Sequence, residues 1–185
     1  MAMQDVFAPT GSLQYQPEIG ILSFWTGESH FDLFNLAGEL VRRIRIDLEQ
    51  KAVTQEDRDS VIRFYEGWVE EAEDDQQRAL YQALIDHAVF GETKPYYQGV
   101  SVDEYGYFWI TDLPDYGLST SPTDAIRMRL LSPEGEYLGD TEFPIFPMRL
   151  DNGQHLCTWY EDEETGETDY IVYRMEPAVP GFVYP

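Results

Sequence analysis

The sequence predicts an all-β fold of about three antiparallel units, interrupted by one helical insertion. Aromatic residues make up 15% of the 185 residues, and their broad side chains pack well on the pleated surface of strands. A strand, a turn with glycine and a second strand recur three times along the chain. Between the first two copies, apolar residues instead follow helical spacing.

The first unit is expected within residues 5–50. In the segment 16–25 (QPEIGILSFW), a turn ending at Gly20 precedes an apolar strand, because a tight reversal needs a residue that tolerates positive φ. The segment 31–40 (FDLFNLAGEL) is typical of a strand, a turn and a new strand. The next residues alternate between an apolar and a charged face, as in a half-buried strand: Ile44 and Ile46 against Arg43 and Arg45.

The helical insertion is expected at residues 51–94, with a helical hairpin at roughly 54–90. Thr54 is the predicted N-cap, because acidic residues follow it in the first turn. Two stretches then carry apolar residues at helical spacing, separated by a polar break: Val61, Ile62, Phe64, Tyr65, Trp68, Val69 and Ala72, then Leu80, Tyr81, Leu84, Ile85 and Ala88. The hairpin is either a brace on the sheet edge or a gate or partner-docking surface, and the brace is favoured.

Two more units and a short tail are expected after the insertion: residues 95–143, 144–176 and 177–185. The second unit opens with 102–110 (VDEYGYFWI), an acidic turn with glycine and an aromatic strand, and 128–138 (MRLLSPEGEYL) matches the later strands of the first unit. The third unit opens with 150–157 (LDNGQHLC) and then diverges, with a long acidic turn before 168–173 (TDYIVY). These patterns are typical of short strands joined by hairpins.

The net charge is −23, from 35 acidic and 12 basic residues. A field of this sign repels phosphate backbones and anionic lipids, so nucleic acid is not expected as a partner. A cationic ligand or a basic partner is compatible with it. No apolar run approaches the ~20 residues of a membrane span. The N-terminal residues lack the pattern of a secretory signal, so the chain as written suggests a cytoplasmic protein.

No residue set predicts a catalytic or metal centre, and no cofactor is expected. The histidines, His30, His87 and His155, are far apart and lack the short spacings of metal ligands. Neither a Gly-x-Ser-x-Gly motif nor a phosphate-binding glycine loop occurs in the sequence. Cys157 lies in a predicted strand with acidic surroundings, which favours a buried small side chain over a reactive thiolate.

Carboxylates are the remaining candidates for chemistry. The run 161–164 (EDEE) lacks the ligand spacing of a calcium loop and is interpreted as a solvated hairpin tip. Two pairs, Asp103 with Glu104 and Asp112 with Asp115, flank turns, where aspartate accepts backbone hydrogen bonds. A hydrolase or lyase using these loop carboxylates is the alternative function, and it requires them to converge in one pocket.

In their order, these segments resemble bacterial six-bladed β-propeller proteins of the NHL-like kind. Residues 31–45 (FDLFNLAGELVRRIR) resemble that family's blade end, dGxlxrxir, and 53–57 (VTQED) resembles the vTxed that precedes its helical excursion. Residues 102–110 resemble lxvDxxGxlWv, and 169–175 (DYIVYRM) resembles the terminal vxvyrl strand. The resemblance covers about residues 5–175.

The resemblance implies a binding scaffold without shared catalytic residues, in a family whose members are often exported. With about three blades rather than six, the chain looks like the C-terminal half of such a propeller. An open set of blades exposes two sheet faces. The chain is then a fragment of a longer protein, a subunit that pairs with a second copy, or an arc whose insertion and termini cover the open faces.

The sequence therefore predicts a non-catalytic binding or interaction module of β-propeller type, with its binding residues unknown. A homodimer that completes the propeller is the hypothesis for its partner, and a protein or small-molecule ligand is the other partner considered. A structural remnant with assembly as its only role is a further hypothesis. Six aromatic residues in predicted strands are interpreted as core rather than as ligand contacts: Trp25, Tyr107, Trp109, Trp159, Tyr160 and Tyr173.

Overall fold

A computed structural model of the chain contains antiparallel sheets before and after a pair of helices. The structure describes residues 5–17, 19–103, 105–113, 126–143, 149–151, 155–161, 165 and 168–174. Within these ranges, the strands form two four-stranded sheets and one three-stranded sheet. This architecture is compatible with the predicted all-β chain that carries a helical insertion.

Each sheet is a meander in which neighbours in the chain are neighbours in the sheet. The first sheet contains β1 (Gly11–Gln16), β2 (Gly20–Trp25), β3 (His30–Phe34) and β4 (Leu40–Arg45). The second contains β5 (Gly99–Val102), β6 (Phe108–Thr111), β7 (Ile126–Leu131) and β8 (Tyr137–Phe143). The third contains β9 (Arg149–Asp151), β10 (His155–Glu161) and β11 (Thr168–Arg174). The helices α1 (Gln55–Glu70) and α2 (Asp75–Asp86) lie between β4 and β5 in the chain.

Three of the hairpins close with one turn design. A polar side chain at the first position accepts the backbone N–H groups two and four residues later, at 2.9 to 3.2 Å. The fourth position is a glycine with φ between 80° and 90°, a conformation that costs other residues about 1–2 kcal/mol. The acceptors and their glycines are Asn35 with Gly38, Asp103 with Gly106, and Ser132 with Gly135. This turn accounts for three of the glycines that recur in the sequence, Gly38, Gly106 and Gly135.

The first two sheets share their hydrogen-bond register. Leu22–Leu33 in the first sheet corresponds to Trp109–Leu130 in the second. In the same way, Phe31–Ile44 corresponds to Met128–Thr141. The third strand of each sheet shifts register at the same point, one residue before its last turn. The sheets differ in the number of residues between their second and third strands, which are residues 26–29 in the first and 112–125 in the second. They are therefore two copies of one structural unit.

The third sheet continues this register over three strands. In the third sheet, the two paired residues on either side of the first turn are four positions apart in the chain. The corresponding pair of the first sheet has the same separation. Its pairs Cys157–Val172 and Trp159–Tyr170 correspond to Leu22–Leu33 and Phe24–Phe31. Positions on these three strands can thus be assigned equivalents in the other two sheets.

One face of the first sheet packs against one face of the second. We call the face of each sheet that corresponds to Leu22, Phe31 and Leu33 its forward face, and the opposite face its rear face. The rear face of the second sheet contributes its own apolar residues to this core: Val100, Val102, Phe108, Ile110 and Leu131. The rings of Phe31 and Phe108 lie 4.9 Å apart between centroids. Burial of each such large side chain stabilises the fold by about 1.5–3 kcal/mol.

Two side chains of the first sheet also hydrogen-bond to the second sheet. Gln14 Nε2 donates to the carbonyl oxygen of Val100 at 2.9 Å, and Arg42 Nη1 donates to that of Pro133 at 2.6 Å. Ile44, which the alternating pattern places on the apolar face, is 4% exposed within the same core. The contact between the sheets is therefore an extensive one that joins apolar packing to polar bonds.

The forward face of the second sheet is buried as well. Trp109, Met128 and Leu130 are 0%, 4% and 5% exposed on the side away from the first sheet. All four residues of β6 are buried as a result. A strand with no exposed face is typical of a sheet enclosed between neighbouring layers.

The first helix of the insertion begins at the predicted N-cap, and the two ends of the insertion are linked to each other. Thr54 Oγ1 accepts the N–H of Asp57, and the Asp57 carboxylate accepts the N–H of Thr54, which completes a capping box. Lys94, in the segment where the insertion ends, forms an ion pair with Asp57. Ala52 and Thr93 form an antiparallel bridge beside it. The two ends of the insertion are therefore fixed side by side.

We expect Gly135→Ala to destabilise the protein more than Gly38→Ala. Both glycines have positive φ, at 90° and 80°, so both substitutions carry the same backbone cost of about 1–2 kcal/mol. A Cβ at Gly135 would also lie 3.1 Å from Cγ2 of Ile44, whereas a Cβ at Gly38 meets nothing within 4 Å. Urea unfolding measures both variants. Equal losses would show that this turn does not press against the first sheet.

The ion pair at the base of the insertion predicts a pH dependence. Burial raises the pKa of Asp57, but hydrogen bonds from Lys94 and Thr54 outweigh it and leave the pKa below 3.8. A lowered folded-state pKa stabilises the fold above the unfolded-state pKa, and this contribution is lost as pH falls through the folded-state pKa. We expect Asp57→Asn to cost about 1 kcal/mol at neutral pH, and this cost to shrink once the pH falls below 3.8.

The matched control for this measurement is Asp47→Asn, which changes an exposed carboxylate. Urea midpoints at several pH values compare the two variants with the unmodified chain. A loss for Asp57→Asn that is constant across pH would contradict the assigned ion pair.

Candidate functional site

The rear face of the first sheet exposes large apolar side chains. Leu13 and Tyr15 on β1 are 73% and 59% exposed. Their equivalents on the rear face of the second sheet, Val100 and Val102, are 2% and 9% exposed because the first sheet covers them. The same position in the repeated unit is thus covered in one sheet and open in the other.

The forward face of the third sheet is exposed in the same way. Tyr170 and Val172 on β11 are 72% and 60% exposed. By register they stand where Phe31 and Leu33 stand in the first sheet, and those two are 1% and 5% exposed. Large apolar side chains without cover are characteristic of interaction surfaces.

The two open faces are of opposite kinds. Inside the chain, the forward face of the first sheet packs on the rear face of the second. The described chain leaves open one rear face, on its first sheet, and one forward face, on its third. These two faces are the candidate site, and their complementarity follows from the shared register of the sheets.

The rear faces of the first two sheets each carry an ion pair between the third and fourth strands. On the first sheet, Arg43 donates to both carboxylate oxygens of Asp32 at 2.7 and 2.8 Å. These bonds hold the pKa of Asp32 below its ordinary value of 3.8, against the opposing effect of burial. On the second sheet, Arg129 and Asp140 occupy the equivalent positions, so the charges are exchanged.

Asp103, one of the predicted carboxylates, is a structural residue of the first turn of the second sheet. It is 6% exposed. One oxygen accepts the N–H groups of Tyr105 and Tyr107, and the other accepts the indole N–H of Trp109 at 3.0 Å. The expectation that aspartate there accepts backbone hydrogen bonds is confirmed. The bond to Trp109 joins the turn to the forward-face core, and the sequence alone did not predict it.

Asp112 lies at the other end of β6 and is held by arginine. Arg129 donates to its two oxygens at 2.9 and 3.2 Å. Because Asp103 precedes β6 and Asp112 follows it, the two carboxylates do not converge in one pocket. Glu104 and Asp115, the other members of the predicted pairs, lie outside the described residues. Among the residues that the structure describes, no observation favours the alternative function as a hydrolase or lyase.

The three histidines lie on separate elements of the structure. His30 Nε2 lies 3.1 Å from a carboxylate oxygen of Glu28, and His87 is the C-cap of α2. His155 and Cys157 lie on β10, where only the backbone is described. In the part of the chain that the structure describes, no three His, Cys, Asp or Glu residues are grouped to hold a metal ion. The acidic positions 162–164 fall outside the described residues.

The predicted aromatic core is confirmed at one position and wrong at another. Trp109 is fully buried, whereas Trp25 is 50% exposed on the rear face of the first sheet. Trp159, Tyr160 and Tyr173 are described only in their backbone. Sequence alternation identified the strands, but it did not distinguish a covered apolar face from an open one. Leu13 and Tyr170 are recognised as unusual because the residues at the equivalent register positions in other sheets are buried.

Comparison with known proteins adds no assignment. No protein-family model, no curated protein and no solved structure matches this chain. Among the described helices, neither is both long and apolar enough to cross a membrane.

We expect Asp103→Ala to destabilise the protein more than Asp103→Asn. Asparagine supplies an oxygen for the two backbone N–H groups, as Asn35 does in its own turn, but its amide offers no acceptor to the indole of Trp109. Alanine leaves all three donors without this acceptor, at about 1–3 kcal/mol for each group that stays unsatisfied. Thermal unfolding ranks the two variants. The reverse order would contradict the assigned bonds.

Proposed function

We propose that this chain is a non-catalytic interaction module of β-propeller type, whose three sheets are successive blades and which assembles with a second copy. The observation that carries this proposal is the pair of complementary open faces on the first and third sheets. Inside the chain, the equivalent faces are buried against each other and form the main core. A propeller closes a set of such sheets around a common axis and leaves no large face open.

The topology of the sheets supports the propeller part of the proposal. A blade is an antiparallel meander of four strands, and both complete sheets have this order. The first two sheets also stack forward face on rear face, rather than as a symmetric sandwich. Unidirectional stacking of equivalent units is what generates a ring or a solenoid.

The balance of free energies supports assembly. Burial of each exposed apolar side chain contributes about 1.5–3 kcal/mol, while association costs on the order of 4–15 kcal/mol in lost freedom of motion. A single contact between two open faces is weak on this scale. Two copies that close on each other form the contact twice but lose their independent motion once, so closure favours a stable pair.

An interaction role agrees with the state of the polar groups. In the described sheets, the candidate carboxylates Asp103 and Asp112 are both engaged by N–H donors of the protein itself. The functional surface that the fold leaves available is apolar and lies on strands. A surface of this kind binds another protein surface by shape and burial.

We expect light scattering coupled to size-exclusion chromatography to give twice the chain mass of 21.5 kDa at micromolar concentration. Each copy carries a net charge of −23, so screening of their repulsion should tighten the dimer as salt rises from about 20 to 500 mM. A clean monomer at micromolar concentration in high salt would overturn the proposal.

A further inference from the structure

We infer that the two copies dock head to tail, with the forward face of the third sheet of each copy covering the rear face of the first sheet of the other. The inference rests on the proposed assembly and names its two surfaces. The forward surface contains Tyr170 and Val172, and the rear surface contains Leu13, Tyr15 and Ile21.

The contact between the first and second sheets is the template for this interface. There, Phe31 and Leu33 of the forward face pack in one core with Val100, Val102 and Phe108 of the rear face. Every one of these five positions has an equivalent on an open face, and every equivalent is a large apolar residue. In the same order, they are Tyr170, Val172, Leu13, Tyr15 and Ile21.

The exposed fractions of these side chains differ from those of their equivalents on covered faces. The three on the open rear face are exposed or half-buried, and the two on the open forward face are 72% and 60% exposed. In the covered copies of the unit, the equivalent positions are between 1% and 9% exposed. A second copy supplies both missing covers at once, because one chain contains both kinds of open face.

The ion pair on the open rear face of the first sheet is also compatible with burial. Asp32 and Arg43 neutralise each other through two hydrogen bonds, so covering them leaves no isolated charge. In the template, Gln14 crosses the interface to the carbonyl oxygen of Val100. The equivalent carbonyl on the open rear face is that of Leu13, on the exposed strand β1. The acceptor that the template uses is therefore also present on the open rear face.

A head-to-tail contact between two copies has a definite symmetry. Forward meets rear in both contacts, so each interface joins different surfaces, and the two-fold axis relates one interface to the other. This differs from a dimer in which two rear faces meet across the axis. The difference gives the inference a direct test.

The first experiment uses variants that change one open face each. Leu13→Thr with Tyr15→Thr alters the rear face, and Tyr170→Thr with Val172→Thr alters the forward face. Threonine keeps the β propensity and the net charge, so the fold is retained while apolar contact is lost. Leu80→Gln, at a 50% exposed position on α2, is the matched control. We expect both face variants to dissociate at least tenfold more readily than the unmodified protein, and the control to remain unchanged.

The second experiment traps the contact itself. In the template, Phe31 and Phe108 touch ring to ring, and their equivalents on the open faces are Tyr170 and Ile21. We expect Ile21→Cys and Tyr170→Cys chains, each in a Cys157→Ala background, to be joined by a short bismaleimide when they are mixed. Either chain alone should give little linked product, because its cysteines lie on like faces.

The outcomes separate the two proposals. Preferential linking in the mixture and dissociation of both face variants support the head-to-tail contact. Linking of Ile21→Cys chains to each other, together with a forward variant that remains dimeric, overturns head-to-tail docking in favour of rear-to-rear pairing and leaves assembly intact. A monomeric unmodified protein overturns the proposed assembly and this inference with it.

Discussion

The fold depends on a sheet that carries apolar side chains on both of its faces. Such a sheet is stable only between two covering layers, because water on either side would solvate large apolar surfaces. The second sheet satisfies this condition, with Phe108 buried on its rear face and Trp109 on its forward face. The first and third sheets are built on the same register, and each has one of its two faces open. The candidate site follows from this single constraint rather than from any special cluster of reactive groups.

Much of the local structure could be predicted from the sequence, because turns and caps depend on neighbours in the chain. Gly38 and Gly135 stand where a positive φ is needed, and Thr54 caps its helix through a residue three positions later. The open faces could not be predicted, because they depend on contacts between distant segments. Leu13 and Val100 are both aliphatic residues in strands, and only the stacking of the sheets leaves one exposed and covers the other.

The helical insertion stands apart from this repeated design. Its base is fixed by Lys94 and Asp57, and its helices pack on each other through an aromatic cluster of Phe64, Tyr65, Trp68 and Tyr81. Only Val61 in α1 is buried among the residues of the two helices. The insertion is therefore a locally stabilised unit placed between two equivalent sheets, and its ends meet without disturbing their register.

The exchanged ion pairs have a consequence for how the chain folds. Because the first two sheets share one hydrogen-bond register, the backbone of β3 could pair with β8 as well as with β4. Pairing β3 with β8 would place Asp32 directly opposite Asp140, and pairing β7 with β4 would place Arg129 directly opposite Arg43. Like charges directly opposite on neighbouring strands repel. The exchanged charges therefore disfavour the swapped pairings of β3 with β8 and of β7 with β4.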